Sequence, residues 1–239
     1  MALGSQPRWT VQNAAAAPAD LDVGLRNYML RIYNYMASGL ALTGIVAYVF
    51  ASSGIYLEIA RTPLIYVVML APLGLVMLLS FGINKMSATA AQGVFWLYAG
   101  LMGISMASIF LMFTGASIAR VFFITAGTFA AMSLYGYTTR RDLAQFGSFL
   151  FMGLIGVVIA MLVNMFLHSS ALQFAISVVG VLVFTGLTAW DTQQIKEMYF
   201  EGDYGEVATK KAVMGALRLY LDFINLFMML MQLMGVRRD

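Results

Sequence analysis

The sequence predicts an all-α polytopic membrane protein with seven transmembrane helices. Hydrophobic residues make up 61% of the chain and charged residues only 10%, where an ordinary soluble domain carries about 25% charged residues. The mean hydropathy is +0.83, and no water-soluble fold can cover that much apolar side chain. The apolar residues also come in seven unbroken runs close to the 20 or so that a helix needs to cross a bilayer. Strands of an outer-membrane barrel alternate polar and apolar residues over roughly 10 positions, which these runs do not. Backbone groups inside lipid must then be satisfied within each segment, and only helices achieve that here.

The runs cover residues 32–50, 62–81, 93–113, 118–137, 147–166, 172–190 and 213–234. They define one membrane domain over 28–235, flanked by a polar N-terminal tail, 1–27, and a short C-terminal tail, 236–239. The connections at 114–117 and 167–171 are so short that their flanking helices are expected as antiparallel hairpins. The longest and most charged connection is 192–212. Small residues four apart, Ala37 with Ala41, Gly103 with Ala107 and Ala126 with Ala130, mark places where helix backbones can approach. Pro72, in the middle of the second run, predicts a break in the helical hydrogen-bond ladder.

Basic residues set the orientation. The N-terminal tail and the connections on its side hold Arg8, Arg26, Arg31, Lys85, Arg140, Arg141, Lys196, Lys210 and Lys211, against Arg61, Arg120, Arg237 and Arg238 on the other. Basic loops resist translocation, so the N-terminus is expected in the cytoplasm. Seven crossings then leave Arg237 and Arg238 outside, which keeps a re-entrant segment or six full crossings open as alternatives. The net charge of +3 is spread over short loops, so nucleic-acid binding is not expected. There is no cysteine, hence no disulfide, thiolate nucleophile or zinc–cysteine site. The sole histidine, His168, stands beside Ser169 and Ser170 in a short loop, a poor start for a serine hydrolase. No cofactor is called for.

The residues that break the apolar pattern are the candidates for function. Asp191 closes the sixth run and Asp222 lies inside the seventh. A carboxylate at a helix centre costs roughly 2.5–3.5 kcal/mol on the insertion scale, so it needs a partner or a use. The sixth run ends at the face where the seventh begins, which places both acids in one half of the bilayer. Carboxylates that meet there titrate as a unit, sharing a proton and separating or recruiting a cation as it leaves. With amide oxygens alone to help, the pair falls short of the 6–8 oxygens of a tight calcium site. Asp191 and Asp222 are therefore read as a transient cation contact. Arg218, four residues before Asp222, is the expected charge partner of Asp222 on the same helix face. For Asp191 the competing reading is a water-exposed helix end. Asn164 and Asn225 are candidates to line a path or to bond across helices. Glu197, Glu201, Asp203 and Glu206 read as a solvated acidic loop, able to concentrate cations at a mouth.

Several of these strings resemble the bacterial branch of the Bax inhibitor-1 family. They are Thr114-Gly115-Ala116-Ser117, Ser133-Leu134-Tyr135-Gly136-Tyr137-Thr138-Thr139, Arg141-Asp142-Leu143, Trp190-Asp191-Thr192-Gln193-Gln194-Ile195-Lys196 and Leu219-Tyr220-Leu221-Asp222-Phe223-Ile224-Asn225-Leu226-Phe227. The resemblance covers residues 26–235. It implies a seven-helix fold with the last helix central, and a pH-sensitive calcium leak through a bacterial inner membrane. In that family the acids matching Asp191 and Asp222 form a proton-sensing pair, and a basic residue at the end of the second helix latches the closed state. Lys85 is the matching candidate latch, although an ammonium lacks the bidentate fork of the arginine found in some relatives. Trp190 stands where relatives often carry tyrosine.

Two other classes compete with the channel. One is a non-conducting regulator of a membrane-protein partner, such as a membrane protease. The other is an intramembrane aspartyl protease, which also needs two acids on adjacent helices. That class requires glycines before its second acid, whereas Leu219, Tyr220 and Leu221 precede Asp222 here.

Overall fold

The structure is a computed structural model that describes the backbone of residues 18–238 and the side chains of 23–238. Eight α-helices follow one another: α1 (Pro18–Ser52), α2 (Ile55–Ala60), α3 (Leu64–Gly82), α4 (Ala88–Met112), α5 (Gly115–Thr138), α6 (Ala144–Leu167), α7 (Ser170–Glu197) and α8 (Gly205–Met234), with a 3-10 turn, Ile83–Lys85, after α3. All but the six-residue α2 are long and apolar enough to span a membrane. The six-crossing alternative is therefore set aside. Residues 1–17 of the predicted tail lie outside the described residues, and 18–27 are already part of α1.

Seven crossings put the start of α1 and the end of α8 on opposite faces, called here the N-face and the C-face. Two contacts tie the connections together. At the N-face the Ala88 amide, first in α4, donates to Glu206 at the head of α8 at 3.5 Å. At the C-face, Val236 to Arg238 pair with the α4–α5 turn: the Thr114 amide donates to the Val236 carbonyl and the Arg238 amide to that of Met112. The C-terminal tail is thus bonded down.

α8 is the centre of the bundle. Of its most apolar stretch 72% is buried, against 11% for α6, and α1, α4, α5 and α7 pack around it. Close approach needs small residues. A Cβ on Gly103 of α4 would lie 2.7 Å from the Thr43 carbonyl of α1, and one on Gly136 of α5 would lie 2.1 Å from the Ala189 carbonyl of α7. Gly103 thus meets α1, a close approach of the kind its spacing with Ala107 suggested, and Ala107 is buried on the same helix.

Polar knots add specificity between helices. Thr43 Oγ1 donates to the Ala99 carbonyl of α4 at 2.8 Å and is met by the Tyr220 hydroxyl of α8 at 2.7 Å. A second chain runs from Tyr33 of α1 to Ser133 of α5 and on to Thr192 of α7, at 2.6 and 3.0 Å. Its direction is fixed because Thr192 spends its proton on the Thr188 carbonyl. Cross-helix bonds of this kind contribute about 0.6–2 kcal/mol each.

Two expectations need correction. The connection 192–212 is not a long loop: α7 continues to Glu197 and α8 starts at Gly205, so only seven residues remain between them. Polar helical turns project beyond the apolar runs, and hydropathy alone cannot register them. The helices flanking 114–117 do not form a packed hairpin either; α4 and α5 diverge from their short turn and take different sides of α8. α6 and α7 do pack as a hairpin.

Pro72 stands within a continuous α3. Having no N–H, it leaves the carbonyl four residues earlier, that of Val68, without its helical donor. The Ser105 hydroxyl of α4 supplies one at 2.6 Å. Ser105→Ala should therefore cost about 1 kcal/mol, which for a chain of this size lowers the melting midpoint by roughly 2–4 °C. Adding Pro72→Ala returns the native helical donor and should recover most of that loss in thermal unfolding of the detergent-solubilised protein. A double variant no more stable than Ser105→Ala contradicts this role for the serine.

Candidate functional site

Asp191 and Asp222 come together. They line one cavity of about 360 Å³ with Arg218 and Asn225 of α8, between apolar walls that include Phe151 of α6 and Phe184 of α7. Their side chains are within hydrogen-bonding reach of each other. Asp191 is not a water-exposed helix end, because α7 continues six residues past it and leaves its side chain 13% exposed. Asp222 is deeper, at 5%.

Arg218 does not have the partner that its spacing suggested. Its Nη1 reaches across to α7 and stands 3.8 Å from Asp191 Oδ1, with the arginine side chain 42% exposed at the cavity mouth. The i, i+4 relation puts Arg218 and Asp222 on one face of α8, but the antiparallel neighbour brings Asp191 to that face as well. The three groups therefore form one cluster: two acids and one cation.

Asp222 Oδ2 is buried with no hydrogen-bond partner among the described residues. A buried acceptor left without a donor is expensive, and two bare carboxylates offer each other none. A single proton shared by Asp191 and Asp222 would supply such a donor. It would also make the cluster of two acids and Arg218 neutral overall.

Among the other candidates, Asn225 lines the cavity, and its amide nitrogen donates to the Leu221 carbonyl at 2.8 Å. Asn164 does not line it. It binds the α6–α7 turn at the C-face, donating to Gln173 Oε1 and accepting from the Ser169 amide, both at 3.0 Å. That turn lies about 30 Å along α7 from Asp191 at 1.5 Å per residue. Lys85 sits exposed in the 3-10 turn and is not among the cavity residues; the cation at the acids is Arg218. His168 is exposed in the same α6–α7 turn, with φ 49°. The acidic loop is partly structural, since Asp203 pairs with Lys211 and Glu206 meets the start of α4. Among the described residues, no group of three or more His, Cys, Asp or Glu could hold a metal ion.

Residues that sequence reasoning passed over hold the site in place. Gln193, two positions after Asp191, accepts from the Leu143 amide at 2.8 Å and donates to the Arg141 carbonyl at 2.9 Å. Lys196 donates to the Tyr137 carbonyl near the end of α5. The N-face end of α7, just past Asp191, is thereby pinned to the end of α5 and to the α5–α6 turn. Gly147 of α6 makes room for Trp190, whose indole would stand 2.6 Å from a Cβ there. The signal available was the clustering of amide and ammonium donors within two turns of the acid.

A family model described as inhibitor of apoptosis-promoting Bax1 matches residues 25–239. The chain is 48% identical over 219 residues to the inner membrane protein YbhL of Escherichia coli K12, covering 90% of this chain and 94% of that one. An uncharacterized protein of Rickettsia prowazekii is 52% identical, over 91% of this chain and 93% of its own. Another uncharacterized protein, from Caulobacter vibrioides, is 42% identical, over 95% and 97%.

If Arg218 neutralises Asp191, its removal hurts most where the acid is ionised. Arg218→Met should lower the melting midpoint by an amount that grows from acidic to alkaline pH, about 2–4 °C at the alkaline end. A loss of equal size at every pH would mean that the side chain acts through packing alone.

Proposed function

The chain belongs to the Bax inhibitor-1 family, and on that premise we propose that it is a pH-sensitive leak channel for calcium or a similar cation, gated by the Asp191–Asp222 pair. One observation carries the reading: two acids and one arginine share a cavity between α7 and α8 inside the membrane domain.

With the bridging proton present, the cluster is neutral and the two helices are held to each other. Loss of the proton leaves one negative charge in excess and two carboxylates in contact, in surroundings that screen them poorly. Two responses follow: the acids move apart, or a cation takes the place of the proton. Asn225 offers an amide oxygen beside them, and the few ligands available suit passage better than storage. Arg218 sets the balance, because its charge offsets that of Asp191 without reaching full contact.

The N-face is the cytoplasmic face in this reading. It carries Lys85, Arg140, Arg141, Lys196, Lys210 and Lys211 in or next to its connections, the excess expected of untranslocated loops. The name of the Escherichia coli relative, an inner membrane protein, supports a place in the bacterial plasma membrane.

The test is calcium flux into liposomes that contain only this protein, over a pH series. Flux should rise with pH as the shared proton is lost. Asp191→Asn with Asp222→Asn should flatten that dependence. An unchanged pH response in the double variant, or no flux from the protein alone, would reject the proposal; the second result points instead to a regulator that needs a partner.

A further inference from the structure

Polar residues do not stop at the acid pair. On α8, Arg218, Asp222, Asn225, Met229 and Gln232 follow at intervals of three and four, so they share one helix face. The facing stripe of α7 runs from Asp191 back through Leu187, Phe184, Gly180 and Ser177 to Gln173 at the same intervals. The two stripes meet in antiparallel register. Asp191 lies opposite Arg218 and Asp222, Gly180 opposite Met229, and Ser177 with Gln173 opposite Gln232.

The α7–α8 seam is therefore polar in both halves of the bilayer. The N-face half holds the acids, Arg218 and Asn225 around the cavity. The C-face half holds a hydrogen-bonded cluster: Ser177 Oγ donates to Gln232 Oε1 at 3.0 Å, Gln173 also donates to Gln232, and Asn164 donates to Gln173. Asn225 and Gln232 are seven positions apart, about 10 Å along the axis, and no polar side chain of α8 lies on the seam between them. Met229 fills that gap. It is 3% exposed, and a Cβ built on Gly180 would stand 2.8 Å from its sulfur. Glycine at 180 is what lets the thioether seat against the α7 backbone. Phe184, 4% exposed, lies one turn nearer Asp191 on α7 and lines the cavity.

The geometry points to a second closure in the ion path: the Met229 thioether, seated on Gly180, plugs the α7–α8 seam in series with the acid pair. This inference rests on the channel reading. A hydrated cation cannot cross two turns of close-packed apolar contact, so a hydrophobic constriction closes a path without any charge. The acid pair then sets whether a cation is drawn into the N-face cavity, and Met229 limits how fast it goes on. Methionine suits that task because three rotatable bonds let it swing aside without moving a helix.

The test has two arms. In calcium-loaded proteoliposomes, at the pH where the native protein conducts best, Met229→Ser should raise flux about tenfold or more while the pH dependence persists. Met229→Leu, apolar and of similar volume but less flexible, should conduct no faster than the native protein. Native flux with no rise in Met229→Ser would overturn the plug and leave the channel standing. The second arm does not depend on flux. The chain has no cysteine, so single cysteines report access to a membrane-impermeant thiol reagent. With Met229 in place, Asn225→Cys should react only from the N-face and Gln232→Cys only from the C-face, and adding Met229→Ser should let each react from both. Reaction of Asn225→Cys from both faces with Met229 in place, or from the N-face alone after Met229→Ser, would overturn the inference whether or not the protein conducts.

Discussion

A carboxyl pair can be kept inside a membrane protein only if its charge is cancelled and its hydrogen bonds are made. Much of this fold can be understood as meeting that constraint. Asp222 sits on α8, which is walled by α1, α4, α5 and α7, so its half of the pair is out of reach of lipid. Asp191 comes from the most extensively packed neighbour, and Arg218 crosses the seam to face it. Were α8 peripheral, like α6, the acid would face hydrocarbon, and its cost would fall directly on insertion and stability.

The same logic governs the rest of the polar inventory. Thr43 with Tyr220, and Tyr33 with Ser133 and Thr192, each join helices distant in sequence through hydroxyl groups whose protons are all committed. Ser105 completes a carbonyl that Pro72 leaves open. Gln193 and Lys196 hold the N-face end of α7 against the α5–α6 turn. In lipid there is no apolar driving force between helices, so small residues and satisfied polar contacts specify who packs against whom. A gate can then be built where one contact depends on a mobile proton while its neighbours do not.

Much of this was legible in the sequence. The seven spans follow from the length that lipid imposes on an apolar run. The meeting of Asp191 and Asp222 follows from antiparallel neighbours that share a face of the membrane. What escaped was what depends on packing. Arg218 satisfied the intrahelical spacing rule for Asp222, yet its ion-pair contact is on α7. Asn164 had the composition of a path residue but serves a turn, and Lys85 stayed outside the cavity. The connection 192–212 looked long because amphipathic ends of α7 and α8 do not register as apolar. The matched three-and-four spacing of Gln173, Ser177, Gly180, Phe184, Leu187 and Asp191 with Arg218, Asp222, Asn225, Met229 and Gln232 was present in the sequence. Only the register of the two helices gave it meaning.

The account stands or falls on one proton bridging two carboxyls. Infrared difference spectroscopy of the membrane-embedded protein, with isotope-labelled aspartate, reads that state directly through the stretch of a protonated, hydrogen-bonded carboxyl group. At the pH where flux is shut, the native protein should show one such band, lost in both Asp191→Asn and Asp222→Asn, because each removes half of the bridge. Two separate carboxylate signatures with no protonated band, or a band that persists in both variants, would contradict it.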